Sequence, residues 1–300
     1  MNILHRTWQK IVPYRLLVFV RFMLESKSLK ERRIAVLNHF KGIDPTTLDP
    51  EIIEGLKYLK THKYASFPFN WTEKYDTFLP EVYQDSESSR LYVLFEGKKM
   101  YFPKRYTETH IIWAIRSIFK EQDAQSPHLY LTPEFQVEPG SVVIDAGVAE
   151  GNFALSVVEN VKRLYLIECE AEWVEALKLT FAPWKDKVIF VEKYMSDSEG
   201  ELTVSVDSLL KPVANETYFI KMDIEGFEQK ALAGMKNLVA SGSAIKMNVC
   251  TYHQPYALQE INSILKGYGF DCQVSKGYVL YFQPGEEPSF RKVLIRAEKI

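Results

Sequence analysis

Val142–Phe153 reads VVIDAGVAEGNF. Three β-forming residues run into Asp145. Two glycines, Gly147 and Gly151, then lead into a helical pattern that starts near Asn152. A chain sheds side chains in this way where something must approach its backbone closely. A nicotinamide-type fingerprint would need glycines at 147, 149 and 152, but Ala149 and Asn152 stand at the last two. The loop also holds Asp145 and Glu150, which suit a cationic ligand better than a pyrophosphate. The remaining spacing, D-x-G-x-x-x-G, is the one used for S-adenosylmethionine, which carries a sulfonium, an ammonium and a ribose. Dinucleotide oxidoreduction is thereby disfavoured.

Around this loop the pattern is regular. From Ser141 onward short apolar strands alternate with amphipathic helices. SVVIDA precedes a helix, and RLYLIE precedes AEWVEALKLTF. KVIFVE and ELTVSV follow as strands. YFIKMD precedes one helix over FEQKALAGMKNLV, and AIKMNVC precedes PYALQEINSILKGYG. Such alternation predicts an α/β, Rossmann-like domain with a mostly parallel sheet and helices on both faces. The closing strands DCQVS, YVLYFQ and RKVLIRA lack long crossovers, so they are expected to pair antiparallel at one edge. Ligands in such sheets sit beyond the carboxyl ends of the strands. Glu168 ends the second strand 23 positions after Asp145. An acid there is placed to hydrogen-bond a ribose.

VVIDAGVAEGNFAL, LYLIECE, YMSDSEGELTVSVDSLL and above all FIKMDIEGFEQKALAGM resemble the FkbM-type S-adenosylmethionine-dependent methyltransferases. The resemblance runs from about Ser126 to the C-terminus. Its most specific piece is the run Lys221, Asp223, Glu225, Gly226, Glu228. It implies the class I methyltransferase fold, with a seven-stranded sheet and one antiparallel strand near its edge. It also implies methyl transfer, usually to oxygen, with sugars, glycans or secondary metabolites as acceptors. Val148-Ala149-Glu150 departs from the Ala-Asn-Ile-like run of many members. The cofactor residues carried over are Asp145, Gly147, Glu150, Gly151, Asn152, Phe153, Glu168, Ser196 and Asp197. Among them Glu150 would meet the methionine ammonium, Glu168 the ribose, and Ser196 and Asp197 the adenine.

Methyl transfer from a sulfonium leaves a neutral thioether, so it needs no acid. It needs an aligned acceptor and somewhere for the acceptor's proton to go. The groups expected at the carboxyl ends of the fourth and fifth strands are Asp223, Glu225 and His253. His253 is the leading base, because imidazole titrates near neutral pH. His128 is a second histidine within reach of the cofactor mouth. Lys221 and Asp223 share a strand face, which suggests an ion pair between them. Glu225 and Glu228 could cap the next helix, orient the acceptor, or hold a divalent cation with Asp223. No His/carboxylate spacing demands a metal, so no metal ligand is assigned.

The rest of the chain bounds the reading. Its 300 residues, 46% apolar with net charge −2, suit one large globular domain with an extension and do not suit a nucleic-acid binder. Three cysteines without ligand spacing suggest a reduced, cytoplasmic protein. Residues 126–300 are expected to form the methyltransferase domain. Residues 1–125, with helices, the aromatic stretch YASFPFNWTEKYDTF and the hairpin RLYVLF-EGK-KMYFPK, are expected to serve as a lid or docking region. Residues 1–41 carry nine Lys/Arg against two acids. Such a segment can pack on the main domain or rest on an anionic membrane surface. An interaction module without catalysis is the alternative function, and the intact cofactor loop argues against it.

Overall fold

The structure is a computed structural model. It describes residues 14–210, 216–283 and 285–300, with the first helix described up to residue 26 by its backbone alone. The chain divides into two compact units. The smaller holds the residues up to Asn70 together with Leu280–Phe290, and the larger holds Trp71–Val279 and Arg291–Ile300.

In the smaller unit, α1 (Tyr14–Phe40) and α2 (Pro50–Thr61) surround the buried Val36, Leu59 and Leu280. Asp49 caps α2 by accepting from the Glu51 amide, with Pro50 preset for the first turn. Part of the basic segment is committed here. Arg32 bonds the Phe282 carbonyl and lies over Tyr64, and Arg33 donates to the His62 carbonyl. Lys27, Lys30 and Lys41 are exposed, whereas Arg6 and Lys10 lie outside the described residues. No described helix is long and apolar enough to cross a membrane.

The larger unit begins at Trp71, within the irregular aromatic stretch. A three-stranded meander follows, β1 (Tyr83–Gln84), β2 (Leu91–Phe95) and β3 (Lys98–Tyr101), and then α3 (Glu108–Glu121). The α/β alternation runs β4 (Val142–Ala146), α4 (Asn152–Val157), β5 (Arg163–Ile167), α5 (Ala171–Thr180), β6 (Val188–Val191). It continues through β7 (Tyr194–Met195), β8 (Thr203–Val204), α6 (Val206–Leu209), β9 (Thr217–Met222), α7 (Glu228–Ala233) and α8 (Lys236–Ala240). The chain closes with β10 (Ala244–Cys250), α9 (Ala257–Gly267), β11 (Asp271–Val274), β12 (Val279–Tyr281), β13 (Ser289–Arg291) and β14 (Leu294–Lys299).

Seven strands form the main sheet in the order β6-β5-β4-β9-β10-β14-β11. The first five are parallel, and β14 runs antiparallel to both β10 and β11. That order, with the reversed strand one in from the edge, is the class I methyltransferase fold. Alternate residues feed two separate cores. Val143, Leu164, Leu166 and Phe219 face α4, α5, α3 and the meander. Ile144, Ile167, Ile220 and Met247 face α7, α8 and α9. Burial on both faces explains why these strands are mostly apolar, broken only by single buried polar residues. The helices after β4 and β9 leave on opposite faces, so the crevice opens between those two strands.

Three sequence expectations are corrected. ELTVSV gives only the two residues of β8, which pair parallel with β7 outside the main sheet. YVLYFQ gives β12, which pairs with β13 instead of joining the sheet edge. FEQKALAGMKNLV is two helices, broken at Gly234. A Cβ on Gly234 would lie 2.5 Å from the Ser196 carbonyl oxygen and 2.9 Å from Ser205 Cβ. The break therefore lets the α7 end press against the β7–β8 turn, a contact no helical periodicity encodes. Gly234→Ala is expected to cost about 1–3 kcal/mol by overpacking. Urea denaturation checks this, and an unchanged midpoint would mean that the turn yields freely.

Candidate functional site

The loop after β4 is shaped by close approach. Gly147 and Gly151 have φ of +76° and +79°, and a Cβ on Gly147 would sit 1.8 Å from the Asp223 carbonyl oxygen. The ends of β4 and β9 thus touch through backbone, and the Asp223 amide donates to the Ala146 carbonyl at 3.1 Å. Ala149 also takes a positive φ, +46°, and its amide donates to Glu168 Oε2 at 3.1 Å. The other Glu168 oxygen accepts from the Glu170 amide at 2.9 Å. Glu168 therefore ties the loop to the end of β5, and its carboxylate faces the crevice, half-buried.

Asp145 is 1% exposed and does not reach the crevice. Its partner is Lys221, directly opposite on β9, with Nζ 3.0 Å from Oδ1. Lys221 also donates to the Gly147 carbonyl at 2.5 Å. The expected Lys221–Asp223 ion pair is therefore corrected: register, not sequence neighbourhood, selects Asp145. Burial lifts the Asp145 carboxyl above its usual range, and Lys221 opposes that rise. For Lys221, burial works against the charge, but Asp145 and Asp223 outweigh it and hold the amine above its usual value.

Glu150 stands in the same loop, and burial pushes its carboxyl up to about 7. Asn152 and Phe153 open α4, as the pattern requires. The Phe153 side chain, however, is core, 5.6 Å from Phe219 and 5.8 Å from Tyr130 between ring centres. Only its backbone faces the loop. Ser196 and Asp197 lie in a turn whose side-chain hydrogen bonds are local: Ser196 and Ser198 both donate to Asp197 Oδ1. They are not hydrogen-bonded to the Gly147 loop.

Asp223 is the centre of the second half of the site. Tyr130 donates to its Oδ2 at 2.8 Å and Tyr252 to its Oδ1 at 3.2 Å. His128 Nε2 lies 3.5 Å from Oδ2, and His253 Nε2 lies 3.4 Å from Oδ1. Burial opposes the Asp223 charge, but His128, Lys221 and His253 outweigh it and hold the carboxyl well below its usual range. A carboxylate so well supplied is a poor proton acceptor and a good anchor. Glu225 and Glu228, expected on one side of the turn, take opposite environments. Glu225, at φ +56°, leaves its side chain 87% exposed. Glu228 is buried and accepts from the Ile224 amide at 3.0 Å and from His253 Nδ1 at 3.1 Å.

Sequence reasoning missed Tyr130 and Tyr252 altogether. It also missed how the segment before β4 is held. Asn248 donates to the Tyr130 carbonyl at 2.9 Å, and Arg296 bonds the Leu129 carbonyl. Polar residues inside apolar strands, as in AIKMNVC and VLIRA, were the available signal.

Residues 201–272, from the approach to β8 into β11, match the model of the Methyltransferase FkbM domain. No curated protein matches the chain. Among solved structures, it is similar to a methyltransferase FkbM from Methylobacillus flagellatus KT, at 15% identity and TM-score 0.42. The match covers 65% of this chain and 56% of that one, so it spans little more than half the relative's length. It is also similar to a precorrin-6y C5,15-methyltransferase from Geobacter metallireducens GS-15, at 15% identity, TM-score 0.37, and 55% and 81% coverage. A putative methyltransferase from Streptococcus mutans in complex with SAH is 11% identical, with TM-score 0.35 and 63% and 97% coverage.

Lys221→Met is expected to destabilise the protein by about 3–5 kcal/mol, because it strands a buried carboxylate. Lys221→Met with Asp145→Leu should recover most of that loss. Denaturant unfolding of the three proteins checks it, and a single-variant loss below about 1 kcal/mol would remove the pair from its structural role. Over residues 201–272, which hold Lys221, Asp223, Glu225 and Glu228, the chain matches the FkbM methyltransferase family that its motifs resemble.

Proposed function

We propose that this protein transfers a methyl group from S-adenosylmethionine to a hydroxyl, on a sugar, a glycan or a secondary metabolite. The observation that carries the reading is the backbone contact between Gly147 and Asp223, which sets the cofactor loop and the acceptor-side cluster edge to edge. The loop's donor set fits the cofactor. Glu150 and Glu168 offer carboxylates to an ammonium and a ribose, and the nearby cation, Lys221, is buried and committed to Asp145. Bound there, the cofactor supplies an electrophilic methyl on a sulfonium.

The chain's own residues do the rest. Gly147 and Gly151 keep the loop low, so that a ligand can lie along its backbone. Glu168 receives the ribose hydroxyls and Glu150 the methionine ammonium. Tyr130, Tyr252 and Asp223 form a fixed polar wall. His253 and Glu225 face the acceptor, orient its oxygen and deal with its proton. Glu228 holds Nδ1 of His253 and leaves Nε2 facing Asp223 and Glu225. The exposed Phe227 and Tyr256, in the turns after β9 and β10, offer aromatic faces for a sugar ring.

Calorimetric titration with S-adenosylmethionine and S-adenosylhomocysteine tests the cofactor. Micromolar binding is expected, weakened at least about tenfold in Glu168→Ala, the loss of about one charge-assisted hydrogen bond. Absence of binding by the native protein would sink the methyltransferase reading.

A second expectation concerns pH. A carboxyl near 7 is neutral at pH 6 and charged at pH 8, and only the charged form attracts the ammonium. S-adenosylmethionine affinity should therefore rise by about tenfold from pH 6 to pH 8. Glu150→Gln should flatten that rise. A native protein whose affinity is level across the range would place the ammonium elsewhere.

A further inference from the structure

The turn after β9 and the turn after β10 bring Asp223, Glu228 and His253 together, with the exposed Glu225 beside His253. His253 is 5% exposed, and its Nε2 is buried with no hydrogen-bond partner. That nitrogen faces two carboxylate oxygens, Asp223 Oδ1 at 3.4 Å and Glu225 Oε2 at 3.7 Å. Charge-assisted N–H···O bonds close to about 2.7–2.9 Å, and both gaps are longer than that. The gaps instead match an ion between them. Two ligands about 2.1 Å from one cation stand about 3.0–3.5 Å apart at octahedral or tetrahedral angles. Asp223 and Glu225 stand too far apart to share an ion until the Glu225 side chain, 87% exposed, swings inward to complete the set.

The surroundings support the same reading. Glu228 Oε1 lies 3.1 Å from Nδ1 of His253 and also receives the Ile224 amide. A carboxylate on the far nitrogen fixes the tautomer with its hydrogen on Nδ1 and turns the Nε2 lone pair outward. This is the usual support behind a metal-ligating histidine. Tyr130 and Tyr252 hold Asp223 from its other sides, so the carboxylate is preset and cannot swing away.

We propose that Asp223, Glu225 and His253 Nε2 bind one divalent cation, with Glu228 orienting the imidazole from behind. Two carboxylates, one imidazole and an open, solvent-facing side suit a hard to borderline ion such as Mn²⁺ or Mg²⁺ that keeps water ligands. That the ion would meet the acceptor's oxygen rests on the methyltransferase reading, and Nε2 of His253 is then a ligand in place of a base, the ion making the hydroxyl acidic enough to lose its proton to water; the ion site itself does not rest on that reading. A sequence reading assigns no metal because the three ligands lie on two separate turns, with no ligand spacing between them.

The experiment is titration of the cofactor-free full chain with Mn²⁺, following loss of the free-ion paramagnetic resonance signal. One ion per chain is expected, with nitrogen hyperfine coupling from the imidazole in the pulsed spectrum. Glu225→Gln, whose exposed side chain can change without disturbing the core, should weaken binding at least tenfold. His253→Asn should abolish the nitrogen coupling, and Asp271→Asn, on β11, should change nothing. No binding by the native protein, binding indifferent to Glu225→Gln, or a bound ion without nitrogen coupling would each overturn the proposal. Mn²⁺ binding alongside failed S-adenosylmethionine binding would leave the ion site standing and remove the methyltransferase reading. The reverse result would remove the ion site alone.

Discussion

A row of buried polar side chains crosses the middle of the sheet, and the site depends on it. Asp145, Lys221, Asn248 and Arg296 stand side by side in register on β4, β9, β10 and β14. All four face the core that contains α4 and α5, and none is more than 8% exposed. Burying two opposite charges, an amide and a guanidinium is costly unless each is satisfied. Asp145 is met by Lys221, and the other three each bond a chain segment that crosses the strand ends. Lys221 takes the Gly147 carbonyl, Asn248 that of Tyr130, and Arg296 that of Leu129. The row is thus the clamp that holds both the loop after β4 and the segment before β4 in place.

That clamp sets the geometry of the crevice. The segment it holds delivers His128 and Tyr130 to Asp223 from one side. The turn after β10 delivers Tyr252 and His253 from the other. Asp223 is consequently surrounded by donors and fixed as an anion, which makes it an anchor for the groups around it. Nε2 of His253 stays buried, and the Glu225 side chain, 87% exposed, is the accessible carboxylate of the cluster. Glu228, one helical turn away from Glu225, spends its carboxylate on the backbone of the same turn and on His253. Two glutamates three residues apart thereby acquire different jobs through burial alone.

Much of this was legible in the chain. The strand-loop-helix reading of Val142–Phe153, the acid at Glu168, the α/β alternation and the antiparallel pairing of DCQVS with RKVLIRA follow from local pattern, whereas the single reversed strand near the edge came with the family resemblance. Each is a statement about neighbours in sequence, and periodicity and glycine placement report on neighbours. The corrected readings share one cause. Lys221 chooses Asp145 over Asp223 because strand register brings it opposite. Gly234 breaks a helix because a turn from another part of the chain needs its space. Phe153 turns into the core because Phe219 and Tyr130 are there to receive it.

The sequence by itself determined the class of fold, the cation-friendly character of the loop and the identity of the residues at the fourth strand's end. Those depend on residue type and local spacing, which folding does not alter. Only the tertiary structure decided which of those residues are partners. It joined His253 to Glu228 and Asp223 across two turns, and it brought Tyr130 and His128 from a segment about 90 residues upstream. Contacts between distant strand ends depend on register and sheet order, and no single stretch of the chain contains either.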